Sequence, residues 1–468
     1  MLRIETRYLS FFFGLVSILS FFNIIYSYYL NLYLNLDTYY LSFFCSLVIS
    51  ILFYNLKFEQ KRLTIFNKIL TIFVGYILIP LVLSIPFYFS IYNLTLLNSF
   101  FEAISGFTST GFTIFDNIKH IDQSLILWRS STQWIGGLYF LFSIIFLIDI
   151  YDENFKKTLT NFISFDSSEI FKQAIKIFLL YSVLTLIIFI ILNIFSIRTF
   201  DSLNLAFSLI SSGGFLPVND LSTILKENSQ VIITSLLMLI SFFSIFFSYN
   251  LVFFKKRNIN FFYEDLHLII YFLFIVTIFF LFFSFNNEFS DNLLSISSSI
   301  SNIGFSVNEN QPRLDFLLLI LVIIGGSFFS TSSGLRFVKI YSLFKYSINQ
   351  ILSFSRPKNV YMNKLIFTNI KFDFAEINKY FLTIIIFILS LFILSSLLSF
   401  SGVDFEKSFK LSILTLMNTV NSSLYGLEDF DFNSLHYFIK YCLILFMIIG
   451  RIELLTILLL LKKFLFKN

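Results

Sequence analysis

The chain alternates long apolar runs with polar breaks, and four of the breaks carry a related short segment, usually with glycine. They read Ser105-Gly106-Phe107-Thr108-Ser109-Thr110-Gly111-Phe112-Thr113, Ser211-Ser212-Gly213-Gly214-Phe215, Ser301-Asn302-Ile303-Gly304-Phe305 and Thr419-Val420-Asn421-Ser422-Ser423. Non-helical backbone survives at membrane depth only where it is buried in protein or lines water. Four such segments at corresponding places predict a pore walled by backbone carbonyl oxygens.

The solvent for this chain is a bilayer. Of 468 residues 57% are hydrophobic, 69 are Phe and only 13% are charged, more apolar surface than a soluble domain can hide. Apolar runs near 8–34, 38–56, 67–93, 125–150, 170–197, 228–254, 261–285, 314–346, 377–400 and 434–462 predict ten transmembrane helices. The first follows Arg3 and Arg7 but is too long for a signal peptide core, so it is read as a retained span. Alternate breaks carry basic residues: Lys57, Lys61, Arg62 and Lys68; Lys156 and Lys157; Lys255, Lys256 and Arg257; and both termini. The opposite breaks hold Glu102, Asp116, Asp220, Asp291 and Asp404. The positive-inside rule puts the basic breaks and both termini in the cytoplasm, with all four polar segments on the outer side. The net charge of +5 follows from that topology, and no nucleic acid is called for. Cys45 and Cys442, far apart, and His120, His267 and His436, scattered, point to neither a disulfide nor a metal site.

Short semi-apolar stretches at 96–107, 201–210, 291–300 and 405–417 precede the polar segments and fit half-helices. A helix entering from outside aims its partially negative C-terminus into the pore, which favours a cation. The expected fold class is an all-α polytopic membrane protein with four pseudo-symmetric helix, pore-loop, helix repeats around a central pore. The repeats are expected at 63–155, 156–258, 259–350 and 351–468, preceded by two extra transmembrane helices in 1–62.

The run from Ser105 to Gly111, followed by Trp128-Arg129-Ser130-Ser131-Thr132-Gln133-Trp134-Ile135-Gly136-Gly137, resembles the first repeat of the TrkH/KtrB/HKT superfamily of potassium transport proteins. The resemblance continues through Ala206-Phe207-Ser208 with Ser212 to Phe215, Gly325-Gly326-Ser327 with Ser330 to Gly334, and Gly450-Arg451-Ile452-Glu453. It covers about residue 67 to the C-terminus, and the two preceding helices suggest the TrkH-like branch. It implies that Gly111, Gly214 and Gly304 line an ion filter, with carbonyls from Thr110, Gly213 and Ile303. Glycine suits that place because backbone must approach the axis without a Cβ and with unusual φ/ψ allowed; the plainer reading of each glycine alone is a turn. Aligning Thr419-Val420 with the residues before the filter glycine puts Asn421 in its place, with Val420 beside it. Anchoring on Gly426-Leu427 instead puts Leu424 there. Within the family, loss of a filter glycine is associated with admission of Na+, so Na+ or mixed Na+/K+ transport is the alternative to K+ uptake.

Under the filter the resemblance implies a gate. Gly325, Gly326, Ser327, Ser330, Thr331, Ser332, Ser333 and Gly334 would unwind a helix into an intramembrane loop, with Phe328 and Phe329 adding bulk. Arg451 would project into the pore and raise the barrier to cations. A packing kink and a structural ion pair are the plainer readings of these two features. Trp128, Arg129, Gln133 and Trp134 are expected to scaffold the outer interface with the aromatic belt. Glu453, on another helix face from Arg451, is expected to pack against a partner.

Nothing resembles a phosphate-binding loop, a zinc signature or a catalytic triad, so an enzyme is not expected. A secondary transporter by alternating access would call for inverted repeats and mid-membrane charge; here each copy starts inside. The resemblance implies a homodimer in the cell membrane, with K+ or Na+ as cargo and no bound cofactor. It also implies control by cytosolic nucleotide-binding subunits of the RCK/TrkA-like kind. The basic segment from Arg336 to Lys371 is either their docking surface or an ordinary positive-inside loop.

Overall fold

Backbone amides find no partner in hydrocarbon, so apolar runs of this length must satisfy themselves as helix. The computed structural model describes residues 4–56, 64–147, 170–253, 263–283, 289–307, 314–354, 374–427 and 430–452. Among these residues the fold is all-α, apart from one two-residue strand pair. The basic stretches 57–63, 148–169, 254–262, 355–373 and 453–468, on which the orientation largely rests, lie outside the described residues, as does Glu453.

The helices are α1 (Thr6–Tyr29), α2 (Leu36–Asn55), α3 (Ile65–Leu83), α4 (Ile85–Tyr88), α5 (Leu96–Phe107), α6 (Gln123–Phe146), α7 (Ile170–Ile194), α8 (Thr199–Ser211) and α9 (Asn228–Phe242). They continue as α10 (Ile245–Phe253), α11 (Tyr263–Phe283), α12 (Phe289–Ile300), α13 (Asp315–Ile323), α14 (Phe337–Ser353), α15 (Phe374–Phe400), α16 (Phe405–Leu416) and α17 (Tyr437–Ile452). Among the described residues, six stretches are long and apolar enough to cross a membrane: Thr6–Tyr29, Leu36–Asn55, Ile65–Tyr88, Ala174–Ile194, Glu264–Phe282 and Ile377–Phe400. The protein is a multi-pass membrane protein. The other four expected spans are also helical but interrupted or polar. The run 228–254 breaks between α9 and α10, 314–346 breaks between α13 and α14, and α6 carries a polar centre from Arg129 to Gln133. The last is described as far as Ile452.

α1 and α2 pack together through small hydroxyls, with Ser20 and Ser42 2.9 Å apart, and α1 also leans on α6. The rest of the chain repeats one theme, two apolar helical runs flanking a short helix: α3, α5, α6; α7, α8, α9; α11, α12, α13 (continuing past a loop as α14); α15, α16, α17. A 12-residue helix such as α5 is about 18 Å long. That is well short of a hydrocarbon core of about 30 Å, so no short helix can cross it. The third helix of each unit packs on the short helix of the next: α6 on α8, α9 on α12, α13 on α16, and α17 back on α5. The four units thus close into a ring. Glycine permits the closest approaches within a unit. A Cβ on Gly136 of α6 would lie 1.9 Å from the Phe107 carbonyl oxygen, and one on Gly450 of α17 would lie 2.3 Å from that of Leu416.

Candidate functional site

Each short helix ends the same way. A non-glycine residue enters the left-handed region, Ser109 at φ 57°, Ser212 at 56°, Asn302 at 59° and Asn418 at 48°. The following amide then donates back to a carbonyl five residues earlier: Thr110 to Ser105 (2.9 Å), Gly213 to Ser208 (2.8 Å), Ile303 to Ser298 (3.0 Å) and Thr419 to Leu414 (2.9 Å). This is a Schellman-type stop, and it supplies a register independent of glycine. Two residues past Ser109, Ser212 and Asn302 come Gly111, Gly214 and Gly304; two past Asn418 comes Val420. The expectation that Asn421 takes the fourth glycine position is therefore corrected to Val420. Asn421 turns aside, its side-chain amide donating to the Leu427 carbonyl at 3.1 Å. The alternative at Leu424 falls with it.

Hydrogen bonds tie neighbouring quarters in cyclic order. Ser208 donates to Gln133 at 3.0 Å, Ser212 to the Ser301 carbonyl, Asn302 to Thr419 at 3.3 Å, and Asn418 to Thr110 at 3.0 Å. Gly111, Gly214, Gly304 and Val420 meet at the centre. A Cβ on Gly111 would stand 2.5 Å from Gly214 Cα, so the backbones touch as only glycine allows. Gly214 and Val420 belong to opposite quarters, yet a Cβ on Gly214 would come within 2.4 Å of Val420 Cβ. The Val420 isopropyl group thus occupies central space that the glycines leave open. Above the ring lies a vestibule of about 900 Å³, with Asp116, Asp220 and Asp431 in its walls together with Arg129 and Lys407.

Arg451 is buried beneath the ring and reaches all three other quarters. Its guanidinium donates to the Ser333 hydroxyl, to Ser109 Oγ at 3.3 Å and to the Ser211 carbonyl at 3.4 Å. No carboxylate pairs with it among the described residues, which disfavours the structural ion pair. Ser333 belongs to the segment Gly325 to Gly334, a loop between α13 and α14 rather than a kink. Its neck is a parallel bridge of Ile324 with Leu335 and Gly325 with Arg336.

The loop docks on the break between α9 and α10, where helix ends leave backbone groups unpaired. Ser327 and Ser332 amides donate to the Phe242 and Ser241 carbonyls (3.0 and 3.1 Å), and the Ile245 amide donates to the Phe329 carbonyl (3.1 Å). Thr331 Oγ1 donates to the Ile210 carbonyl at 2.8 Å, and Ser330 Oγ to that of Ser327 at 2.7 Å. A Cβ on Gly326 would lie 2.2 Å from the Phe242 oxygen. Phe328 and Phe329 are buried against each other, with Phe329 on Phe246 of α10, so their bulk goes into anchoring the loop.

The architecture matches that of known proteins. A crystal structure of the potassium transporter TrkH from Vibrio parahaemolyticus superimposes with a TM-score of 0.83 over 98% of each chain, at 19% identity. The Trk system potassium uptake protein TrkH of Escherichia coli is 25% identical over 400 residues, 81% of each chain. An uncharacterized cation transporter of Methanocaldococcus jannaschii is 21% identical over 437 residues, 88% of this chain and 85% of that protein. No family model matches. The chain is thus similar in sequence and in fold to TrkH potassium transport proteins.

In this chain the Trp128 to Trp134 segment is not part of an interfacial belt. Trp128 and Trp134 are buried, their indole N–H groups donating to the Leu83 carbonyl (3.1 Å) and Thr185 Oγ1 (3.0 Å). Gln133 lies close under Gly213. Arg129 forms a buried ion pair with Glu102 of α5 at 2.8 Å and donates to Thr113 at 2.9 Å, with Phe215 stacked 4.2 Å away. The other Glu102 oxygen accepts the Ile114 amide at 2.9 Å. This group props the first polar segment from behind. Arg129→Met, leaving the Glu102 charge buried and alone, is expected to cost about 3–5 kcal/mol of stability, read as a lower unfolding midpoint in detergent; an unchanged midpoint would contradict the prop.

Two groups escaped sequence reasoning: the left-handed residues and Arg336. A legible signal existed for the first, since small polar residues (Ser, Ser, Asn, Asn) stand at one register in all four copies.

Proposed function

We propose that this chain is a channel-like uptake protein for monovalent cations, K+ foremost, in the cell membrane, with both termini cytoplasmic and four pore repeats bounded as the sequence suggests. The observation that carries the reading is the closed ring of Gly111, Gly214, Gly304 and Val420 under an outer vestibule. Ring backbone from Thr110, Gly213, Ile303 and Val420 would replace the water shell of a passing cation, with Asn421 outside the ring. The C-terminal ends of four short helices converge on the same point and add negative potential. The potassium uptake named for the E. coli relative and the potassium transport named for the V. parahaemolyticus one support the choice of ion.

The loop from Gly325 to Gly334 with Arg451 serves as the gate in this reading: a folded loop and a positive charge stand directly under the filter. Regulation by a cytosolic nucleotide-binding subunit docking near 336–371, and assembly as a homodimer, complete the proposal.

A second reading, reduced K+/Na+ discrimination, is favoured by Val420, because one quarter of the ring presents a side chain in place of glycine. The test is K+ and Na+ uptake by cells lacking their own K+ systems. Val420→Gly is expected to raise K+ uptake several-fold and shift the K+/Na+ ratio, while Asn421→Gly leaves both unchanged. Sensitivity at Asn421 with indifference at Val420 would overturn the register.

A further inference from the structure

Arg336 lies just beyond the glycine- and serine-rich loop and reads in sequence as the start of a cytoplasmic basic segment. In the fold it is 2% exposed and sits at the neck of the loop, its backbone bridged to Gly325. One guanidinium nitrogen, Nη1, donates to the Ser327 carbonyl at 2.9 Å, the Ser332 carbonyl at 3.0 Å and Ser330 Oγ at 3.0 Å. Residues 326–334 form no helix or strand of their own, so their buried carbonyls need partners from elsewhere. Arg336 provides them from inside the loop.

The same guanidinium lies 5.0 Å from the Phe140 ring centroid, and the Arg451 guanidinium lies 4.0 Å from that ring. Two like charges are thereby both stabilised by one aromatic quadrupole. Phe140 belongs to α6, Arg336 to the loop and Arg451 to α17, so three units converge at one side chain.

We propose that Arg336 is the positioning residue of the gate: its guanidinium holds the loop folded beneath the ring, and Phe140 couples that folded state to Arg451. The inference rests on the reading of the loop as a gate. α14 begins at the next residue, Phe337, so a displacement of α14 withdraws the guanidinium from the loop carbonyls. Movement on the cytoplasmic side is transmitted to the pore in this way. Lysine keeps the charge but lacks the planar fork, which separates positioning from a plain electrostatic barrier.

The experiment measures Rb+ uptake into proteoliposomes together with labelling of a loop reporter, Thr331→Cys, by a small cationic thiol reagent, in a Cys45→Ser, Cys442→Ser background. Arg336→Lys and Arg336→Gln are both expected to raise uptake roughly tenfold and to speed reporter labelling to a similar degree. Phe140→Leu is expected to raise both by a smaller factor. Deletion of residues 327–333 tests the gate itself and is expected to raise uptake most. If the deletion raises uptake but Arg336→Lys behaves as wild type in both readouts, the positioning role is overturned and the gate stands. If the deletion leaves uptake unchanged, the gate reading fails. Should the Arg336 variants not fold, unchanged labelling in Phe140→Leu overturns the coupling.

Discussion

Replacing Gly111 by Asp is expected to reduce cation uptake to the background of cells without the gene. Gly111 has φ +86°, and a Cβ there would stand 2.5 Å from Gly214 Cα, 2.8 Å from its carbonyl carbon and 3.0 Å from its nitrogen. All three are backbone atoms, which cannot swing aside as a side chain can. The left-handed conformation alone costs an L-residue roughly 1–2 kcal/mol, so the larger effect is geometric: the first two quarters of the ring must separate. Gly402 supplies the control. Its φ is +96° but nothing lies within 4 Å of an added Cβ, so Gly402→Asp carries the backbone strain without touching the ring. Uptake measured beside membrane abundance separates the two. Loss in Gly111→Asp with near-normal uptake in Gly402→Asp is the expected pair of results; equal uptake in both would remove Gly111 from the pathway.

Arg451→Ala is expected to move uptake in the opposite direction. The guanidinium is buried and hydrogen-bonded to Ser109, the Ser211 carbonyl and Ser333. Those partners are neutral, and among the described residues no carboxylate pairs with it. For two unit charges about 8 Å apart at an effective dielectric of about 20, the repulsion is about 2 kcal/mol. Removing it would speed crossing roughly 30-fold if passage beneath the ring limits the rate. Arg451→Lys keeps the charge while losing the fork that spans three quarters, and it is expected to fall between. The measurement is initial-rate K+ or Rb+ uptake at matched expression. A decrease in Arg451→Ala would mean that the residue supports the ring and does not bar it.

Much of this architecture is local in origin and therefore legible. The short helices expected at 96–107, 201–210, 291–300 and 405–417 are found at Leu96–Phe107, Thr199–Ser211, Phe289–Ile300 and Phe405–Leu416. Their ends were readable because each apolar stretch runs directly into residues that favour leaving the helix. The loop inside the eighth span was readable for the same reason, since Gly325 to Gly334 can neither fill a helix face nor keep its backbone stiff. The fourth ring position was not. Glycine served as the ruler in three copies, and the fourth has none at that register. The residue that aligns it is Asn418, whose left-handed conformation depends on helix capping as well as on identity. Arg336 misled for a different reason. A basic residue beside other basic residues obeys the positive-inside statistics, but the strand bridge at the loop neck draws this one into the interior.

The sequence by itself determined the helical membrane class, the number of quarters and the places where each short helix stops. Those follow from the length of apolar runs and the conformational preferences of neighbouring residues, which act over one or two helical turns. Only the tertiary structure decided what meets at the centre: Val420 opposite Gly214, Asn418 bonded to Thr110 across 308 positions of chain, and Arg336 and Arg451 sharing Phe140. Such contacts are set by how the third helix of each unit packs on the next unit's short helix. That packing places residues by the summed fit of whole helices, which no local stretch of sequence encodes.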